Sequence, residues 1–200
     1  MSFYSIAPFI QAYYPQYYSI ESYPANECVA IRKVNEEWGM LGNFARTSII
    51  IEGVSFKSCE QLFQVMKFKD EVAVAVVYQA NNPKYTAKHW EKTHRRNDWG
   101  QMIVDAMKFC LMMKYEQNNE FRQVLNFSKG NYIVEDQTAF PKKTADTWGV
   151  KLLADRFIGP NLLGRLLMEL RDNGELEYQL PPDAFIFLDV IKKNANGQNG

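Results

Sequence analysis

Apolar positions along the chain recur with two periods, and each period predicts a different kind of element. Between Trp99 and Gln117 the residues Ile103, Met107, Cys110, Leu111 and Tyr115 return every three or four places, which is the spacing of a long helix. Ser58 followed by Gln61 has the form of a capping box and opens a helix to about Lys69. Asp70 to Gln79 and Pro83 to about Thr93 read as two more helices, split by Asn81-Asn82-Pro83. Asn161 is placed to cap a helix to Arg171 that Asn173-Gly174 stops, and Asp183 to cap a last one to Lys192. Alternation takes over elsewhere. Val29 to Val34 reads as a strand, Thr47 to Ile51 and Val54 to Phe56 as a hairpin turning at Glu52-Gly53, and Tyr132 to Val134 as a short strand. No internal repeat is present. The pattern predicts an α+β fold, a mainly helical single domain with a small β-sheet.

The two ends break the pattern. Six of the eleven tyrosines, Tyr4, Tyr13, Tyr14, Tyr17, Tyr18 and Tyr23, precede residue 24, mixed with Pro8, Pro15 and Pro24. Residues 1–27 therefore read as a Tyr-rich extension lying on a main domain of residues 28–193. Its rings either cover an apolar face or line a base-binding cleft. Residues 194–200, NANGQNG, are expected to be a disordered tail.

Composition narrows the class. Apolar residues make up 46% and charged residues 23%, which fits a globular chain and excludes a mainly disordered one. Lys+Arg and Asp+Glu both number 23, so the net charge is zero, which argues against a chain that lives by wrapping nucleic acid. Cys28, Cys59 and Cys110 are odd in number and far apart, and they announce neither disulfides nor a zinc site. No signal peptide or membrane span is read, so a cytoplasmic location is expected.

Three segments have the residue types for chemistry. In Ser58 to Lys67, the side chains of Glu60, Gln64 and Lys67 fall on one helical face, with Phe63 and Met66 turned toward a core. A carboxylate in the first turn is favoured by the helix dipole and suits an oxocarbenium or an oriented water, as in glycosyl transfer. The same spacing also fits a solvated, salt-bridged face. Asn161 to Gly164 opens a helix whose first amides suit a phosphate, although Gly164 equally suits close packing. Lys84 to Arg96 is a basic run holding His89, His94 and Trp90 against Glu91 alone, fitted to a nucleotide or to solvent. Neither histidine has a metal partner at useful spacing, so no metal and no cofactor are expected.

Taken in order, these pieces resemble the NADAR family (YbiA-like proteins) over roughly residues 29–172. The resemblance rests on Trp38-Gly39-Met40-Leu41-Gly42-Asn43-Phe44, on Phe56-x-Ser58-x-Glu60-x-x-Phe63-Gln64-x-x-Lys67, and on Arg96-x-Asp98-Trp99. It continues through Lys114 to Asn118, Val134-Glu135 and Trp148-Gly149, and ends with Gly159-x-Asn161-x-Leu163-Gly164 and the leucines after it. Family members cleave N-glycosidic bonds, some on riboflavin-pathway intermediates and some removing ADP-ribose from guanine, at times on nucleic acid. The resemblance implies that Glu60 and Glu135 lie near the anomeric carbon, with Gln64 and Asn43 orienting sugar or water. It implies Trp38, Phe44, Trp99 and Trp148 shaping the pocket, and Arg96 with Asn161 to Gly164 holding phosphate. Lys67 and Lys88 are its candidates for a lysine forming a Schiff base with opened ribose, and Lys67 equally for a phosphate ligand.

Two positions depart from the family pattern. Gly42 stands where serine is usual, and Ala145 where an aspartate precedes Trp-Gly, with Asp146 one place nearer. The expectation is a metal-free N-glycosidase acting on a base joined to phosphorylated ribose or ADP-ribose, with a lean toward ADP-ribosyl-guanine. Its partner is a small-molecule nucleotide or a modified base, free or in nucleic acid, and no membrane. The alternatives are an enzyme of riboflavin intermediates, a non-catalytic binder of ADP-ribose or NAD, and an interaction protein working through its Tyr-rich segment.

Overall fold

A computed structural model describes residues 6–141 and 144–197. The chain starts with α1 (Pro8–Tyr13), β1 (Glu21–Pro24) and β2 (Cys28–Ile31), then the hairpin β3 (Ile49–Ile51) and β4 (Val54–Phe56). Four helices follow: α2 (Cys59–Val65), α3 (Glu71–Gln79), α4 (Pro83–His94) and α5 (Trp99–Gln117). α6 (Asn119–Phe127), β5 (Tyr132–Glu135), β6 (Lys151–Leu153), β7 (Arg156–Gly159), α7 (Leu162–Asn173) and α8 (Ile186–Gly197) complete the order. The fold is α+β and mainly helical. Its strands form three small sheets where one was expected: β1-β7-β6, the parallel pair β2-β5 and the hairpin β3-β4.

The residues gather into two compact units. One joins the chain up to Ala45 with Asn119–Leu176, and the other joins Arg46–Asn118 with the residues after Leu176. In the first unit β1 pairs antiparallel with β7, Tyr23 facing Phe157. Tyr23 packs with Val134, Val150 and Phe157 in a small core. Residues 21–24 are thus an edge strand of the sheet, and the tyrosines around them divide by contact. Tyr14 and Tyr17 are buried while Tyr13 and Tyr18 are exposed; Tyr4 lies outside the described residues. Arg165 of α7 anchors this segment, donating to the carbonyls of Gln16 and Tyr17 and to Ser19 Oγ.

In the second unit the predicted cap of α2 forms, and Asp70 caps α3 as well. Gln61 N donates to Ser58 Oγ at 3.2 Å and Ala73 N to Asp70 Oδ1 at 2.8 Å. The hairpin turns at Glu52 and Gly53, both with positive φ, which matches the right-handed twist of its strands. α2 stops at Val65, short of Lys69, because the backbone after it is drawn into other pairings: Arg96 N donates to Lys67 O, and Phe68 bridges Arg95. Asp183 does not cap α8. Its carboxylate is bound to Lys69 and Arg96, and α8 starts at Ile186 and runs to Gly197, past the predicted end at Lys192. Of the expected tail, residues 194–197 lie in that helix and 198–200 fall outside the described residues. Among the described residues no helix is long and apolar enough to cross a membrane.

Candidate active site

Ser58 starts α2 where it does because its hydroxyl satisfies a first-turn amide, and this sets Glu60 in that first turn. Glu60 is 4% exposed and Gln64, one turn on, is 3% exposed. Gln64 Nε2 donates to Glu60 Oε1 at 2.7 Å, which fixes the carboxylate and leaves its second oxygen for other use. The amide can point only this way beside a carboxylate, since the reverse orientation would set a carbonyl against it. Gln64 Oε1 is buried and, among the described residues, accepts no hydrogen bond. A donor brought by a ligand would relieve that cost.

Lys67 sits in the turn that follows α2. Its ammonium lies 3.3 Å from Glu91 Oε2 of α4 and 5.9 Å from the centroids of both Phe63 and Trp99. Those two rings are tilted together at 5.2 Å, so Phe63, expected to serve the core alone, also walls the amine. Burial lowers the Lys67 pKa below the ordinary lysine value; Glu91 and then Glu60 oppose that shift, and Lys84 adds to it. Lys88, the other candidate amine, is exposed on α4. Trp99, 3% exposed, serves as wall and not as an open stacking face.

Arg96 has other employment than phosphate. Its buried guanidinium donates from Nε to Asp98 Oδ1 at 2.6 Å and from Nη2 to Asp98 Oδ2 at 2.8 Å. A further bond from Nη2 reaches Asp183 Oδ1 at 2.7 Å. Two carboxylates thus neutralise a cation that a phosphate would need. A second buried amine, Lys114, stood in the sequence as part of the resemblance and not as a candidate. Burial brings the pKa of Lys114, enclosed on α5, down to about 8, with Cys59 opposing.

The remaining candidates belong to the first unit. Glu135 ends β5 half-buried, and its backbone is held on both sides. Its N–H donates to Asn161 Oδ1 at 3.1 Å and its carbonyl accepts from Val150 N at 2.8 Å. Asn161 is fully buried with φ 52°, and its side chain does not cap α7. It donates instead to Ile133 O at 2.9 Å, so one carboxamide satisfies an acceptor and a donor along β5. The α7 amides expected to hold phosphate are engaged as well: Leu162 N donates to Thr147 O and Leu163 N to Trp148 O. Gly164 serves packing. A Cβ there would stand 2.1 Å from Ile133 O.

Trp38 and Trp148 are half-buried, Asn43 is buried, and Phe44 is 45% exposed. Asp146 Oδ1 accepts from Trp148 N at 2.9 Å and from Gln137 Nε2 at 2.7 Å, while Asp146 N donates to Gln137 Oε1. The shifted aspartate therefore shapes the turn into Trp148, and Ala145 is wholly buried, where a carboxylate would go unsolvated. A Cβ on Gly42 already lies 3.2 Å from Ile31 Cγ2, so a serine there would press on its neighbour. Among the described residues no three His, Cys, Asp or Glu side chains come together as a metal site would need. Glu91 and Lys84, read in the sequence only as members of the basic run, are the charges on α4 that act on Lys67. Their signal was one acid in a basic run, seven places from Lys84 on the same helical face.

The chain is similar to known proteins in sequence and in fold. The N-glycosidase YbiA of Escherichia coli (strain K12) is 28% identical over 147 residues, covering 72% of this chain and 86% of that protein. The YbiA of Shigella boydii serotype 4 (strain Sb227) matches at the same identity and extent. A riboflavin biosynthesis protein of Vibrio vulnificus (strain YJ016) is 26% identical over 179 residues, 88% of this chain but 46% of that one. The NMR structure of Escherichia coli YbiA superposes with a TM-score of 0.58 at 27% identity, over 73% of this chain and 83% of that chain. The NADAR domain profile matches residues 31–173, most of the chain, and the chain therefore belongs to the NADAR family.

Proposed function

We propose that this protein is a hydrolase of N-glycosyl bonds, acting on a base joined to a phosphorylated ribose or to ADP-ribose. The observation that carries the reading is the buried Glu60 carboxylate locked by Gln64, whose charge acts on the desolvated Lys67 amine. When the bond from C1′ to the base nitrogen breaks, its electrons leave with the base and positive charge builds on the sugar. In this reading Glu60 stabilises that charge, as a preorganised carboxylate does in glycosidases. Water then adds at C1′, and one proton goes to the base. Glu135 is the second carboxylate of the reading.

Within this class the substrate is ADP-ribosyl-guanine. Lys67 supports that choice over Lys88, since an amine that adds to C1′ of an opened ribose, where C1′ is an imine to the base nitrogen, must be partly neutral, and burial favours the neutral form. Addition forms the C1′–N bond to Lys67, the base departs with its bonding electrons and a proton, and water releases the sugar from the imine. A riboflavin-pathway riboside is the second reading, favoured by the name of the Vibrio vulnificus relative.

The test is a product assay on an ADP-ribosylated guanine oligonucleotide and on the riboflavin intermediate, for wild type and Glu60→Gln, with borohydride added to trap an imine. Release of ADP-ribose, with trapping at Lys67, supports the first reading. Ribose 5-phosphate from the riboflavin intermediate alone moves the substrate. Bound ADP-ribose without release from either substrate makes the protein a binding module and sinks the enzyme.

A further inference from the structure

We propose that Glu91 of α4 is a positioning residue for Lys67: it holds the amine against Phe63 and Trp99 and governs its proton. The inference rests on the reading that Lys67 takes part in the chemistry. A lysine stem has four rotatable bonds, so a small pocket holds its nitrogen only if a fixed partner anchors it. Glu91 supplies that anchor at 3.3 Å, and the Lys67 side chain is 13% exposed while Glu91 is 31% exposed. The amine is thus withdrawn from water and its partner still reaches water, a route by which the proton can leave.

The charges facing Lys67 among the described residues are few. α4 presents Glu91 and Lys84, which lie seven places apart on one face, and α2 presents Glu60. α5 presents the uncharged ring of Trp99. Arg96, whose backbone N–H donates to Lys67 O, has its guanidinium taken up by Asp98 and Asp183. Glu91 and Lys84 have opposite signs, so their removal must act in opposite directions. Packing loss has no such sign.

The experiment measures the pH dependence of Lys67 reductive methylation, resolved by mass spectrometry, beside the pH profile of kcat/KM. Wild type, Glu91→Gln and Lys84→Gln are compared. Removing the anion should move the acid limb down by roughly 1 to 2 pH units, and removing the cation should move it up by less. Limbs that coincide, or that move the same way in both variants, overturn the proposal. Opposed shifts in methylation from a protein without turnover would uphold Glu91 and reject Lys67 as a participant in catalysis.

Discussion

Glu60→Gln keeps the size of the side chain and its hydrogen bond to Gln64 but removes the charge. With a carboxylate that acts on developing positive charge, kcat should fall by about 10²- to 10⁴-fold while the melting temperature stays near wild type. Steady-state kinetics beside a thermal melt check this, and an unchanged kcat would pass the role to Glu135. Gly164 makes the opposite kind of prediction. The Cβ in Gly164→Ala would meet a backbone carbonyl at 2.1 Å, which cannot step aside as a side chain can. The variant should lose roughly 1 to 3 kcal/mol of stability, read by urea unfolding. Gly164, Asn161 and Ser58 look alike in the sequence as helix-start residues. Only Ser58 caps, because Asn161 and Gly164 answer to β5, nearly thirty residues earlier.

Helices were legible where their own sequence decides them. The cap of α2, the extent of α3 and the whole of α5 need only neighbours within a few residues. α6 was not read, since Asn118-Asn119 suggests a stop and Phe121 and Leu125 are its only residues buried. β6 and β7 escaped for another reason. They are three and four residues long and turn at Ala154, whose φ of 54° no Gly or Asn announces. The connection from α4 to α5 carries a charged tie that sequence could not weigh. Arg96 lies buried in it between Asp98 and Asp183, which still reach water, so Arg96→Ala should cost about 1 to 3 kcal/mol through the lost charged hydrogen bonds and packing. The hydrogen bond from Arg96, and its charge, bring the Asp98 pKa down to about 2 from an ordinary 3.8. A depressed carboxylate lends stability above its unfolded pKa, and that stability is lost as pH falls from about 4 through about 2. Asp98→Asn should flatten the melting temperature across that window, and a slope identical to wild type would refute the assignment.

Each compact unit is assembled from two separated stretches of chain, which bears on what the N-terminal segment is for. β1 supplies an edge of the β1-β7-β6 sheet, and Tyr23 fills the core beside Phe157. Tyr17 donates to Glu169 at 2.7 Å and lies under the Arg165 guanidinium. Deleting residues 1–24 should therefore bare the β7 edge and broaden thermal unfolding, with aggregation on heating. A sharp transition at the wild-type temperature would return the segment to the status of a dispensable extension. Length, neutral charge, helix caps, the β3-β4 turn and the ordered motifs were all present in the chain as written, because each depends on residues close together or on simple totals. The motifs alone sufficed to point to the family. The partners of each candidate were not, because Lys67 meets Glu91 from another helix, Arg96 meets Asp183 across 87 positions, and the first amides of α7 are spent on Thr147 and Trp148. Such pairings belong to the folded chain, since burial first makes an unpaired polar group costly and then selects, from all parts of the sequence, the groups that satisfy it.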